Sequence, residues 1–243
     1  MKINAEGLHC RRLNELVHEA IGKGVREMTL ENVRGQRYIG AGLDSGVRVN
    51  INGVPGNDLG AFLNGAELNV NGNGQDGIGN TMNSGRIVVH GDAGDIPGYA
   101  MRGGRILIRG GVGYRAGIHM KAYGENVPVV VIGGAAMDYL GEYMAGGILV
   151  VLNLHGNPSG AAGACVGTGM HGGVIFVRGE LREHQVGAEV AMGTPSSEDC
   201  SVLKEILHDY RAEIGDRDGR LRPEEFVKLY PRTGRPYGRL YAY

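Results

Sequence analysis

Seven times between Gly40 and Gly173 this chain repeats one short phrase: an apolar or small residue, Gly, two variable residues, then an apolar residue. The copies open at Ile39-Gly40, Leu59-Gly60, Ile78-Gly79, Pro97-Gly98, Ala116-Gly117, Leu140-Gly141 and Ala162-Gly163. They close on Leu43, Leu63, Met82, Met101, Met120, Met144 and Val166. The key glycines are spaced 20, 19, 19, 19, 24 and 22 residues apart. A period this regular marks an architecture in which units that cannot bury a face alone stack on their neighbours. It also accounts for 45 glycines and no Trp, since most glycines then sit at repeated corners.

A second landmark fixes the register. Gly46, Ala66, Gly85, Gly104 and Gly147 lie six residues after a key glycine, and a β-rich run follows each, with VIFVR after Gly173. Two residues past the landmark come Leu68, Ile87, Ile106, Leu149 and Ile175; four past it come Val70, Val89, Ile108, Val151 and Val177. Side chains two apart share one face of a strand, so parallel stacking at ~4.8 Å turns these positions into inward apolar ladders. The phrase-closing residues, Leu43 to Val166, make a third. The first copy is out of phase by one residue, because Arg48 falls where an apolar residue is due. The Leu-x-x-Leu-x-Leu pattern with an Asn ladder, which a helix-containing leucine-rich repeat needs, is absent.

The expected fold is therefore all-β: a single-stranded right-handed parallel β-helix of about seven rungs. Its glycines at 40, 60, 79, 98, 117, 141 and 163 would supply the positive φ that tight corners demand. Open solenoid ends need covers. Residues 9–22 place Leu13, Leu16, Val17, Ala20 and Ile21 at helical spacing before Gly22 and Gly24. Near the other end, Ser196 to Asp199 reads as a helix start, and Leu203, Ile206, Leu207 and Tyr210 form one apolar stripe. A second C-terminal helix is expected from Pro223 to Pro231. The organisation read from the sequence is a helical cap at 1–27, a β-helix at 28–195, and helices with a basic aromatic tail at 196–243, all in one compact domain.

Bulk properties narrow the function classes. No run of about 18 apolar residues could span a bilayer, and MKINAEGLHCRRLNEL has no apolar core like that of a secretory signal. A net charge of −1 argues against nonspecific nucleic-acid or anionic-membrane binding. Cys10, Cys165 and Cys200 are odd in number and far apart, as expected of reduced cytoplasmic thiols packed as small core residues.

Chemical motifs are weak. Gly72 to Gly77 and Gly167 to Gly172 both read G-x-G-x-x-G, but neither opens a helix that could hold a pyrophosphate. Asn57, Asp76, Asp95 and Asp138 each precede a key glycine by three residues. Stacked carboxylates can bind a cation, yet Asx side chains at turns usually cap their own turn, which is the expectation here. Asp216 to Phe226 resembles half an EF-hand loop, with Ile214 at the first ligand position, where calcium cannot be held. There is no HExxH, Walker loop or G-x-S-x-G elbow. No catalytic, cofactor-binding or metal residue is assigned.

Three runs carry a family resemblance: Gly91-Asp92-Ala93-Gly94-Asp95-Ile96-Pro97-Gly98-Tyr99-Ala100-Met101-Arg102-Gly103-Gly104-Arg105-Ile106, then Gly79 to Val89, and Gly141 to Gly147. They closely resemble the GXGXG-domain family, over about residues 28–180. That family includes the C-terminal β-helix domain of the glutamate synthase large subunit and the corresponding subunit of formylmethanofuran dehydrogenase. LENVRGQRYIGAG and the closing KLYPRTGRPYGRLYAY look more like a stand-alone glutamate-synthase version.

The resemblance implies a non-catalytic assembly subunit of a split glutamate-synthase-type complex, which moves the glutamine amide nitrogen to 2-oxoglutarate. Its partners would be a glutamine amidotransferase-type subunit and an FMN-binding synthase-type subunit. FMN and an iron–sulfur cluster would reside in those partners, because this chain has no Cys beside Met1 and no three-Cys cluster. Arg235, Tyr237, Tyr241 and Tyr243 in the tail are the candidate docking residues. Two rival readings are the GXGXG-bearing subunit of a formylmethanofuran dehydrogenase-like complex and an autonomous enzyme using a groove on the β-helix.

Overall fold

The inward ladders exist, and they stack into one sheet. The computed structural model of the protein describes residues 1–215 and 221–234. Its strands are β1 (Lys2–Asn4), β2 (Glu27–Arg34), β3 (Arg48–Val54), β4 (Asn64–Asn71), β5 (Ser84–Val89), β6 (Arg105–Ile108), β7 (Val129–Ile132), β8 (Ala145–Val151), β9 (Gly172–Arg178), β10 (Val190–Gly193) and β11 (Phe226–Pro231). The sheet order is β1 through β9 in sequence, then β11, then β10. Strands β1 to β9 pair in parallel, which makes a β-solenoid of about six turns. The register joins Leu68, Ile87, Ile106, Val130, Leu149 and Ile175 in one row and Val70, Val89, Ile108, Ile132, Val151 and Val177 in the next. All twelve are essentially inaccessible to solvent. Val130 and Ile132 escape the glycine-based alignment because five extra residues are inserted between Lys121 and Val129. The one-residue offset in the first copy puts Arg48 on the outer face, paired with Glu67 at 2.7 Å, while Val49 and Ile51 join the rows.

The last copy needs a correction. Six corners carry left-handed glycines at 40, 60, 79, 98, 117 and 141, but in the seventh the glycine with φ +69° is Gly167. Its N–H donates to Leu140 O at 2.7 Å, as Gly141 does to Ala116 O one turn earlier. The third ladder accordingly runs from Leu43 through Met144 to Met170 rather than Val166. Gly163 is a glycine for another reason: a Cβ there would overlap Asp138 Oδ1 of the preceding turn.

Helix α1 (Cys10–Gly22) starts at His9, whose ring accepts from Arg11 N–H at 3.3 Å, and buries Leu13, Val17 and Ala20 in the same core as the ladders. Helix α2 (Ser197–Ile214) starts with a reciprocal cap: Asp199 N–H donates to Ser196 Oγ at 3.2 Å, and Ser196 N–H to Asp199 Oδ2 at 2.7 Å. It does not cover the end of the stack. Leu203, Ile206, Leu207 and Tyr210 lie instead on the outward residues Val88, Leu107, Val129, Val131, Val150 and Phe176 of β5 to β9, forming a second core. Those strands are apolar on both faces because both are buried. Ion pairs Arg86–Glu213, Arg105–Asp209 and Lys228–Asp199 flank the contact.

The second expected C-terminal helix is only a 3-10 turn at Pro223–Glu225, followed by β11. The edge of β9 would otherwise present unpaired N–H and C=O groups. Phe226 to Tyr230 has the aromatic and β-branched content that suits a strand, and it pairs antiparallel with β9 and β10. Among the described residues no helix is long and apolar enough to cross a membrane.

Candidate functional site

The corners are built on three alternate left-handed residues. Arg115, Gly117 and His119 have φ of +57°, +71° and +56°, and the same triplet recurs as Asp58-Gly60-Phe62, Ile96-Gly98-Ala100 and Tyr139-Gly141-Tyr143. The middle position is always Gly because a Cβ there would strike the core; at Gly117 it would sit 2.7 Å from Leu149 Cδ1. The outer two positions admit side chains, although left-handed backbone costs a non-glycine residue roughly 1–2 kcal/mol. Hydrogen bonds between turns hold them there, including His119 N–H to Glu142 O at 3.0 Å and Ala100 N–H to Ile118 O at 2.9 Å. Each corner therefore presents chosen side chains to solvent on a fixed backbone.

On this edge the rings of Tyr99, His119 and Tyr143 meet across three turns: Tyr99 sits edge-on to His119 with centroids 6.1 Å apart, and His119 stacks on Tyr143 at 5.4 Å. Arg115 lies 4.6 Å over the Tyr139 ring and bonds Glu142 at 2.9 Å. Beside the ring stack is a groove of about 500 Å³ lined by Asn83, Ala100, Arg102, His119, Lys121, Tyr123 and Asn126. Asn83, Arg102 and Lys121 are equivalent, each four residues after a corner glycine. Ala100, the smallest side chain at its corner position among Phe62, Thr81, His119 and Tyr143, leaves the gap. The far wall is the inserted loop, where Tyr123 and Asn126 exchange backbone hydrogen bonds at 3.0 Å. Sequence reasoning does not single out these residues; the 24-residue step after Gly117 is the signal that points to them.

The Asx residues do not cap their own turns. Asp76 Oδ1 accepts from Asp95 N–H at 2.9 Å, Asp95 Oδ1 from Tyr114 N–H at 2.8 Å and Asp138 Oδ1 from Ala164 N–H at 2.8 Å. Asn73 and Asp92 make the same step. Each side chain thus bonds the next turn, clamping neighbours together. The two G-x-G-x-x-G segments are turns of the solenoid, with Gly77, Gly167 and Gly169 at left-handed corner positions. The three cysteines are free and half-buried rather than core residues; Cys165 occupies an outer corner position at φ +58°. Among the described residues no three His, Cys, Asp or Glu side chains converge as a metal site. Arg235, Tyr237, Tyr241 and Tyr243, and residues 216–220 of the EF-hand-like segment, lie outside the described residues.

An uncharacterized protein of Methanocaldococcus jannaschii is 45% identical over 249 residues, spanning 99% of this chain and 95% of that one. A chain of the crystal structure of the formyltransferase/hydrolase complex (FhcABCD) from Methylorubrum extorquens, solved with methylofuran, is similar in fold at a TM-score of 0.63 and 22% identity. The likeness covers 86% of this chain and 83% of that chain. The GXGXG motif family model matches residues 23–226. That match spans the whole parallel stack from β2 to β9, and the chain belongs to the GXGXG motif family.

Proposed function

We propose that this chain is a non-catalytic assembly subunit of a split glutamate-synthase-type complex, holding a glutamine amidotransferase-type subunit against an FMN-binding synthase-type subunit. One observation carries the reading: six of the large apolar side chains exposed along the solenoid lie at its corners. Tyr38, Phe62, Tyr99, Tyr114, Met137 and Tyr143 are exposed, and each lies within four residues of a corner glycine. Interfaces draw on Tyr, Phe, Met and Arg presented in this way. The glutamate-synthase branch rests on the sequence resemblance of the repeats and the tail. The three free cysteines fit a reducing, cytoplasmic setting.

Affinity isolation of the tagged full chain from its native cells tests this reading. It predicts co-isolated flavin and glutaminase activity, with none in the purified chain alone. A tail truncated from Arg232 should weaken the association through loss of Tyr237, Tyr241 and Tyr243. The likeness in fold to a chain of a formyltransferase/hydrolase complex supports a second reading, the GXGXG-bearing subunit of a formylmethanofuran dehydrogenase-like complex. Co-isolated molybdenum or tungsten in place of flavin would select it.

A further inference from the structure

We infer that the groove beside His119 is the docking site for an acidic segment of a partner protein, a placement that rests on the assembly reading above. Its charge is the first ground. Arg102 and Lys121 stand on adjacent turns, ~4.8 Å apart by the stacking distance, and both side chains are exposed. Neither takes part in any ion pair or side-chain hydrogen bond among the described residues. Other cations on the solenoid faces, Arg48, Arg86, Arg105, Arg115 and Arg178, each meet a carboxylate. Among the described residues no carboxylate lines the groove, while the amide-bearing Asn83 and Asn126 do. Two free cations flanked by amide donors make a receptor for carboxylates.

The second ground is the insertion. The 19-residue period lengthens to 24 at this turn, and the added residues fold back as the loop carrying Tyr123, which is 75% exposed. Insertions in repeat proteins map to loops on one face, often the binding face. The third is continuity with the contacting rings of Tyr99, His119 and Tyr143, which give apolar contact area directly beside the charges. The exposed Tyr123 and the rings beside the groove extend the contact area past the charges, as a protein segment requires.

The test places a photo-crosslinker, p-benzoylphenylalanine, at Tyr123 of the full tagged chain in its native cells. The crosslinked peptide is sequenced in that background and again with Arg102→Glu plus Lys121→Glu. The expected result is one partner peptide rich in Asp and Glu, its yield falling at least tenfold on charge reversal and strongly in high salt. Three outcomes overturn the inference: crosslinks unchanged by charge reversal, a crosslinked peptide without acidic residues, or competition by low-millimolar glutarate, which would assign the groove to a small dicarboxylate. Partners that still co-isolate without any crosslink from position 123 would overturn this site and leave the assembly reading standing. A wild-type chain that isolates alone would overturn both.

Discussion

Substituting the middle glycine of one corner and a side chain beside it separates the two constraints that shape the motif. Gly60 has φ +64°, and a Cβ there would lie 2.6 Å from Ile87 Cδ1 and 3.1 Å from Leu68 Cδ1, both in the core. Gly60→Ala therefore adds left-handed strain of about 1–2 kcal/mol to overpacking of about 1–3 kcal/mol. The expected loss is about 2–5 kcal/mol. Phe62 on the same corner has φ +56° and is 56% exposed. Phe62→Gly relieves similar strain but adds chain entropy worth about 0.5–1 kcal/mol, so its effect should be near zero or slightly stabilising. Ile87→Val removes the methyl that the new Cβ would strike and alone costs about 0.5–1.5 kcal/mol. The double variant Gly60→Ala/Ile87→Val should then be about 1–2 kcal/mol more stable than the sum of the two single losses. Urea titration of the four chains, compared at equal m-values, measures this. If the losses add within about 0.5 kcal/mol, or Phe62→Gly costs as much as Gly60→Ala, the assignment of the middle glycine to core contact is wrong.

Leu207→Ala, in the core beneath α2, should cost about 2–5 kcal/mol and speed amide exchange in α2 before the solenoid. Asp95→Ala strands the Tyr114 N–H and should cost about 0.5–1.5 kcal/mol with faster exchange of that amide. Asp95→Asn keeps the acceptor and should stay within about 0.5 kcal/mol. His90 bonds Asn69 Oδ1 at 2.9 Å, and burial, aided by repulsion from Arg109, holds its imidazole below the ordinary value. The unfolded chain then binds more protons, so this contribution is present above about pH 6.5 and is lost on acidification through the lower folded value. Urea midpoints should accordingly rise between pH 5 and 7.5 and flatten in His90→Gln; an unchanged slope would refute the assignment.

The solenoid is legible in the sequence because its signal is periodic and redundant. Leu68, Ile87 and Ile106 fall on one inward row from spacing alone, since each repeat checks the others. Spacing misleads where the period breaks. Val130 and Ile132 are hidden behind the inserted loop, and Gly163 takes the place of Gly167 in the alignment because both follow a small or apolar residue. The strand β11 reads as a helix because Pro223 is a good helix start, whereas the need of β9 for an edge partner is a tertiary fact. The inter-turn bonds of Asp76, Asp95 and Asp138 are invisible locally for a similar reason: their acceptor geometry depends on the turn that follows. The groove is non-local too, since Arg102 and Lys121 become neighbours only after the chain has wound once.

Strands β1 to β9 pair in unbroken parallel succession, and α2 is laid across β5 to β9. Eight inter-strand steps at ~4.8 Å set the ends of that row about 38 Å apart. The row is a ruler graduated in turns. Two proteins gripping its ends would be kept at a separation written in the number of repeats, and deleting one 19-residue unit would bring them closer by a single ~4.8 Å graduation.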